Sequence, residues 1–230
     1  GAAYTDTLRA GIGSLVHELA ESAARERWSE TELLAELDQR WHRLDFGDGW
    51  VERREYVRVR GMVERLGRWL SARHSRFIAA EVPFEVEIGR ARLVGRLDRL
   101  ERDDNGRPVV VDYKTGRSKV RADDLPTHPQ LAVYQLAAEN GAFDELTDGV
   151  RESGGAMLVQ LQAHDRGAAR EQIQTPLTDA EDPKWAEKLV IDAADGMAGR
   201  EFLAQPSTWC GFCPARISCP AHADGRQVTP

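Results

Sequence analysis

The sequence is poor in lysine. Of its 31 cationic residues only Lys114, Lys119, Lys184 and Lys188 are lysine, so a lysine at a site of interest is not background composition. Cysteine is absent before position 210, and the three present crowd into the last tenth of the chain. That pattern excludes a secreted disulfide framework and fits a reducing, cytoplasmic setting with metal ligation. No apolar run approaches the length of a membrane span, and the N-terminus lacks the apolar stretch of a signal peptide. The Gly-x4-Gly-Lys-Ser/Thr phosphate loop is missing, so the sequence shows no nucleotide-driven motor. Positive net charge is missing too: the balance is -7. A uniformly basic nucleic-acid binder is excluded by that balance, but local segregation of charge is not.

What is present suits one soluble globular domain over 1–230. Hydrophobic residues are 41% and charged residues 30% of 230, enough for a full core. Residues 4–27 read as a helix, with Leu8, Ile12, Leu15, Val16, Leu19 and Ala23 at helical spacing. His17 lies inside it, and by itself a lone histidine there is a partly buried or surface residue. A second helix is expected from Ser29 or Glu30 to about Leu44, opened by a Ser29/Glu32 capping box and ended by Gly47-Asp48-Gly49. A third spans about 51–74. The helical region thus covers 1–75.

The period then changes from helix to strand. Over 81–88, Val82, Phe84, Val86 and Ile88 share one face. Gly89-Arg90 reads as a tight turn. Strand 91–101 puts Val94, Arg96 and Asp98 on one face and Leu93, Gly95 and Leu97 on the other. Asp104-Asn105-Gly106 signals a hairpin, and a third strand covers 108–114. The three form an antiparallel meander that brings Asp98 and Asp112 onto neighbouring strands. A loop over 115–128 carries Arg117, Lys119 and Arg121. Beyond it come a helix over 129–140, strands at 156–162 and 170–175 that complete a core over 81–175, a helix at 183–200, and a cysteine tail over 207–222.

The run Val109-Val110-Val111-Asp112-Tyr113-Lys114-Thr115-Gly116 organises the chemistry. Asp112 and Lys114 point the same way from one strand end. Hydrolysis of a phosphodiester needs a cation to neutralise the phosphate and acidify the attacking water, and a positive group to position that water. Oxygen ligands suit Mg²⁺ or Mn²⁺. Asp98 and Asp112 supply carboxylates, the Tyr113 carbonyl a further ligand, and Lys114 the positive group. An exposed Asp–Lys ion pair is the competing explanation for the dipeptide alone. Gln130 and Tyr134, at i and i+4, share a helix face. Arg96 and Arg99 flank the carboxylates and are candidates for phosphate contact, with Arg117, Lys119 and Arg121. Glu81 and Glu85 are weighed as extra acidic members but read better as solvated strand residues.

Taken together, Gly13-x3-His17, Gly95-Arg-Leu-Asp98, Val-Val-Asp112-Tyr-Lys114-Thr-Gly116 and Gln130-x3-Tyr134 resemble the RecB-like branch of the PD-(D/E)XK nucleases. The match spans about 13–140 and continues into the tail. It implies an α/β, restriction-endonuclease-like fold: a mixed central sheet flanked by helices. It implies that His17 is a metal ligand with Asp98 and Asp112, that Lys114 is catalytic, and that Gln130 and Tyr134 orient the centre or the strand. It further implies a DNA exonuclease that serves a bacterial helicase–nuclease of the AddAB or AdnAB type in double-strand break repair, with DNA and a helicase motor or partner subunit as partners. A free-standing Cas4-like exonuclease and a non-cutting DNA-binding scaffold are the alternatives.

Cys210-x2-Cys213-x5-Cys219 is one donor short of a four-ligand site. In AddB-type and Cas4-type relatives a fourth cysteine far upstream completes a [4Fe–4S] cluster, and this sequence has none. His222 offers a second solution, Zn²⁺ held by three cysteines and a histidine. Free thiols are the third.

Overall fold

A computed structural model describes residues 2–44, 49–200, 204, 206–208 and 210–221. Three helices come first: α1 (Ala2–Glu26), α2 (Glu30–Trp41) and α3 (Trp50–Ala72). The strands β1 (Phe77–Ile88), β2 (Ala91–Arg102) and β3 (Pro108–Lys114) follow, then α4 (Pro129–Glu139), α5 (Asp144–Thr147), β4 (Ala156–Asp165), β5 (Ala168–Gln174) and α6 (Trp185–Ala198).

The expected helices form for the expected reasons. Ile12, Leu15, Val16, Leu19 and Ala23 of α1 are all buried. Ser29 caps α2: its hydroxyl accepts from the Glu32 amide at 3.3 Å, and the Glu32 carboxylate accepts from the Ser29 amide at 2.8 Å. A cap of this kind stabilises a helix by about 1 kcal/mol. α2 ends at Trp41, a turn short of Leu44, and Gly47-Asp48 of the expected break lie outside the described residues.

The five strands form one sheet in the order β1-β2-β3-β4-β5. All neighbours are antiparallel except β3 and β4, which run parallel. A parallel pair needs a crossover, and α4 lies in it. Helices α1–α3 cover one face, packing on Val109, Val111, Tyr113, Met157 and Val159. Helices α4 and α6 cover the other, where Val82, Phe84, Leu97, Val110, Leu131 and Leu158 meet. The fold is the expected mixed sheet flanked by helices, with a helical N-terminal region. The hairpin at Asp104-Asn105-Gly106 also forms. Gly106 takes φ +83°, and the Asp103 carboxylate accepts from the amides of Asn105 and Arg107.

Two departures matter for the site. β1 begins at Phe77, four residues before the alternating pattern. Its first residues are apolar on both faces, because helices cover that end and no alternation is needed. The sheet also switches faces in the middle of β1 and β2. Ala80 pairs with Arg99 and Val82 with Leu97. Residues two apart on a strand ordinarily share a face, yet Ala80 packs with the α1–α3 core and Val82 with the α4 core. The switch falls on Glu81, whose φ is +51°. A side chain held in that region costs on the order of 1–3 kcal/mol and persists only where surrounding structure enforces it. Part of the enforcement comes from α1, where Arg25 donates to the Ala80 carbonyl at 3.1 Å.

Candidate active site

The inner half of the site is built on the end of β3. The Asp112 side chain is 6% exposed, and a carboxylate this deep needs partners. Oδ1 accepts from Gln130 Nε2 at 2.7 Å and from the Tyr134 hydroxyl at 3.1 Å, both on α4. Gln130 Nε2 also donates to the Tyr134 hydroxyl oxygen at 2.9 Å. Oδ2 lies 2.7 Å from Lys114 Nζ but has no hydrogen bond of good geometry, so the contact is an ion pair with acceptor capacity to spare. Lys114 Nζ donates instead to Gln130 Oε1 at 2.9 Å. One glutamine thus bridges the acid and the base of the strand end. Burial, then the charge of Asp98, raise the Asp112 pKa, against the opposing pull of Lys114. Burial raises that of the Tyr134 hydroxyl, with the charge of Asp112 adding to it, so that hydroxyl stays protonated and donates.

The outer half comes from α1, β1 and β2. His17 Nδ1 sits 3.2 Å from Asp98 Oδ1, and Asp98 Oδ2 accepts from the Tyr113 amide at 2.6 Å. The β2–β3 ladder has already ended at Arg99↔Val111, so this side-chain bond takes the place of a ladder bond. A strand residue turns its N–H and C=O to the same edge, which aims the Tyr113 carbonyl at the same gap. Burial alone would lower the His17 pKa, but the hydrogen bond and charge of Asp98 outweigh it and raise it. Glu81 stands opposite Asp98 at the face switch. One ligand atom each from His17, Glu81 and Asp98 lies within 4.8 Å of the others. The Glu81 pKa is raised by burial and by Asp98.

The structure thus brings together His17, Asp98, Asp112, Tyr113, Lys114, Gln130 and Tyr134, the residues that the sequence motifs single out. Glu81 joins them, against its expectation as a solvated strand residue. It lies across the ladder from Asp98, between the pairs Ala80↔Arg99 and Val82↔Leu97, so the register sets it beside Asp98, and the left-handed backbone there marks the face switch. Glu85 is as expected, exposed and paired with Arg92 at 2.6 Å. Arg96 is 64% exposed beside Glu81, at 3.6 Å. Arg117, Lys119 and Arg121 lie exposed on the loop after β3.

Arg99 corrects the expectation of phosphate contact. It is 0% exposed, its guanidinium stacked over Trp69 and Phe77, paired with Glu101 at 2.8 Å and donating to the Arg73 carbonyl. The face switch opposite Ala80 takes Arg99 off the Leu97 face and into the α3 side of the core, where no phosphate reaches it.

The donor set fits a hard divalent cation: a histidine and two carboxylates already gathered, and a buried carboxylate oxygen on Asp112 without a hydrogen bond. The cysteine tail is different. Cys210, Cys213 and Cys219 are free and intermediate to exposed, and they do not gather as the three outer residues do. His222 lies outside the described residues. As arranged, the three thiols do not fit a cluster site by themselves.

A family model described as the PD-(D/E)XK nuclease superfamily matches residues 3–220. No curated protein matches the chain. Among solved structures, one described as the crystal structure of SSO0001 is similar at 17% identity and a TM-score of 0.40, over 88% of this chain and 94% of that one.

Proposed function

The chain belongs to the PD-(D/E)XK nuclease superfamily, and from that premise we propose that it is a Mg²⁺- or Mn²⁺-dependent deoxyribonuclease with the centre His17, Asp98, Asp112 and Lys114. The observation that carries the proposal is the pairing of two half-sites: the His17–Asp98–Glu81 group, and the buried Asp112 bridged to Lys114 by Gln130.

His17, Asp98, Asp112 and the Tyr113 carbonyl would hold the cation, with Glu81 beside them. When bound, the cation supplies charge neutralisation at the phosphate and a more acidic water. Lys114, fixed by Gln130, positions the attacking water and holds positive charge against the phosphate. Tyr134 and Gln130 keep Asp112 in one rotamer and leave its second oxygen facing the centre. Arg96 and the loop cations Arg117, Lys119 and Arg121 hold the flanking phosphates, which positions a strand without reading its sequence.

The motif set supports a finer placement in the RecB-like branch, as the nuclease domain of a bacterial helicase–nuclease that trims DNA ends during double-strand break repair, acting in the cytoplasm with a motor domain or partner subunit. The cysteine tail enters as a structural element that needs a fourth donor. Metal analysis and a visible spectrum of the purified protein separate iron–sulfur from zinc and from free thiols.

The test of the nuclease proposal is cleavage of linear single-stranded DNA with Mg²⁺ or Mn²⁺, beside Asp112→Ala and Lys114→Ala. Each variant is expected to lose about 10²-fold or more. Equal rates for wild type and variants would overturn it.

A further inference from the structure

A groove of about 730 Å³ opens beside the candidate centre, between α1, α3 and the loop after β3. Its inner end is formed by Ile12 and Thr115-Gly116. Thr115 directly follows Lys114. Gly13, one turn before His17, has only the Thr115 hydroxyl near the place where a Cβ would stand, at 3.6 Å. The Thr115 end of the groove therefore lies next to Lys114 in the chain and beside Gly13, a position without a side chain one turn from His17.

Its walls reverse the sign of the protein. The chain carries -7 overall, yet the groove is lined by Arg9, Arg54, Arg58 and Arg117 against the single acid Glu55. Glu55 is already engaged by Arg54 and Arg58 at 3.2 and 2.7 Å. Arg117 and Lys119, at the loop end, pair with no acid among the described residues. At the rim stands Trp50, 64% exposed, its ring under the Arg54 guanidinium at 5.1 Å. A tryptophan this open contributes nothing to the core. Beside a cationic groove it is a stacking surface for an unpaired base.

Resting on the nuclease proposal, we infer that this groove is the path by which a single DNA strand reaches the centre, with Trp50 stacking a base at its mouth and Arg54 and Arg117 holding its phosphates. The volume suits a nucleotide-sized ligand and not a duplex, and stacking on Trp50 requires a base free of its partner.

The test is fluorescence anisotropy of a labelled oligo-dT with Ca²⁺ replacing Mg²⁺, so that binding is read without cleavage. Trp50→Ala is expected to weaken binding about 5- to 150-fold. Arg54→Ala with Arg117→Ala is expected to weaken it and to lower the log–log salt slope by about 0.7 per lost contact. A photoreactive 5-iodouracil in the oligonucleotide is expected to crosslink to Trp50, and unlabelled duplex is expected to compete poorly. All three side chains are exposed, and circular dichroism of the variants checks that they fold. Wild-type binding by the variants, or equal competition by duplex, would overturn the inference. Mn²⁺-dependent hydrolysis of bis(p-nitrophenyl) phosphate by wild type against Asp112→Asn is a separate arm. Failure there removes the nuclease proposal and leaves the groove result to be read by itself.

Discussion

The Tyr113 amide donates to Asp98 Oδ2 at 2.6 Å, in the gap where β2 and β3 have stopped pairing. One carboxylate therefore serves two ends. One oxygen closes the backbone of β3, and the other faces His17.

Asp98→Asn and Asp98→Ala separate the two. Asparagine keeps an acceptor for the Tyr113 amide and removes the charge. Calorimetry is expected to show Mn²⁺ affinity falling at least about 10-fold in both. Only Asp98→Ala is expected to melt lower, by about 3–10 °C, from loss of a charge-assisted hydrogen bond. An asparagine variant that binds Mn²⁺ like wild type would remove Asp98 from the centre.

Asp112→Asn is expected to abolish cleavage and stabilise the metal-free protein. The folded state raises the Asp112 pKa, so it holds the proton more tightly than the unfolded chain does. Stability from this group is present at low pH and is lost as pH rises from the ordinary carboxylate range through the raised value. A neutral amide escapes that loss. The variant's melting temperature is expected to exceed wild type at pH 7.5 and to converge with it near pH 4, about the ordinary aspartate value. A lower melting temperature at pH 7.5 would contradict this.

Mn²⁺ affinity is expected to rise steeply with pH between the carboxylate and histidine ranges. His17, Glu81 and Asp112 all have raised pKa values, so protons compete with the cation until they leave. Titration calorimetry at several pH values, with proton release followed in two buffers, measures it. A flat profile would place the cation elsewhere.

Gln130→Ala is expected to lower kcat about 10²-fold while leaving Mn²⁺ affinity close to wild type. Gln130 aims Lys114, and an ångström of misplacement at a reacting centre has effects of this size. Equal losses in metal affinity and kcat would point to a ligand role.

Gly95→Ala reaches the centre from behind. A Cβ at Gly95 would lie 2.7 Å from the Phe84 ring, and Phe84 packs edge-on against Tyr134 with centroids 6.1 Å apart. Overpacking here is expected to cost about 1–3 kcal/mol, read as a lower melting temperature, with a loosened Tyr134 and slower cleavage.

The parts of this molecule that sequence made legible are those set by local spacing. Apolar residues at helical spacing marked α1 and α3, Ser29 and Glu32 marked the start of α2, and Asp104-Asn105-Gly106 marked the turn before β3. Asp112 and Lys114 share a strand face, and Gln130 and Tyr134 share a helix face, so each pair could be read from its interval. Glu81 and Arg99 could not. Alternation puts Glu81 on the face of Asp98, where nothing local separates a site residue from a solvated one, and puts Arg99 on the opposite face with Leu97, an assignment that the face switch at Ala80↔Arg99 breaks. What fixes that switch comes largely from residues distant in sequence: Arg25 on the Ala80 carbonyl, and Trp69, Arg73 and Phe77 around Arg99. A side chain two dozen residues away leaves no mark on a local pattern.

The arginine-lined groove in an acidic protein sets two length scales for the approach of a polyanion. At very low salt, where screening extends about 30 Å, an arriving strand feels the whole molecule and is repelled. Near 0.1 M, where screening falls to about 10 Å, it feels the groove before the body and is drawn in. Still higher salt quenches the groove as well. If the groove is the strand's path, capture is therefore expected to be fastest at intermediate ionic strength, a maximum that a uniformly basic surface would not show.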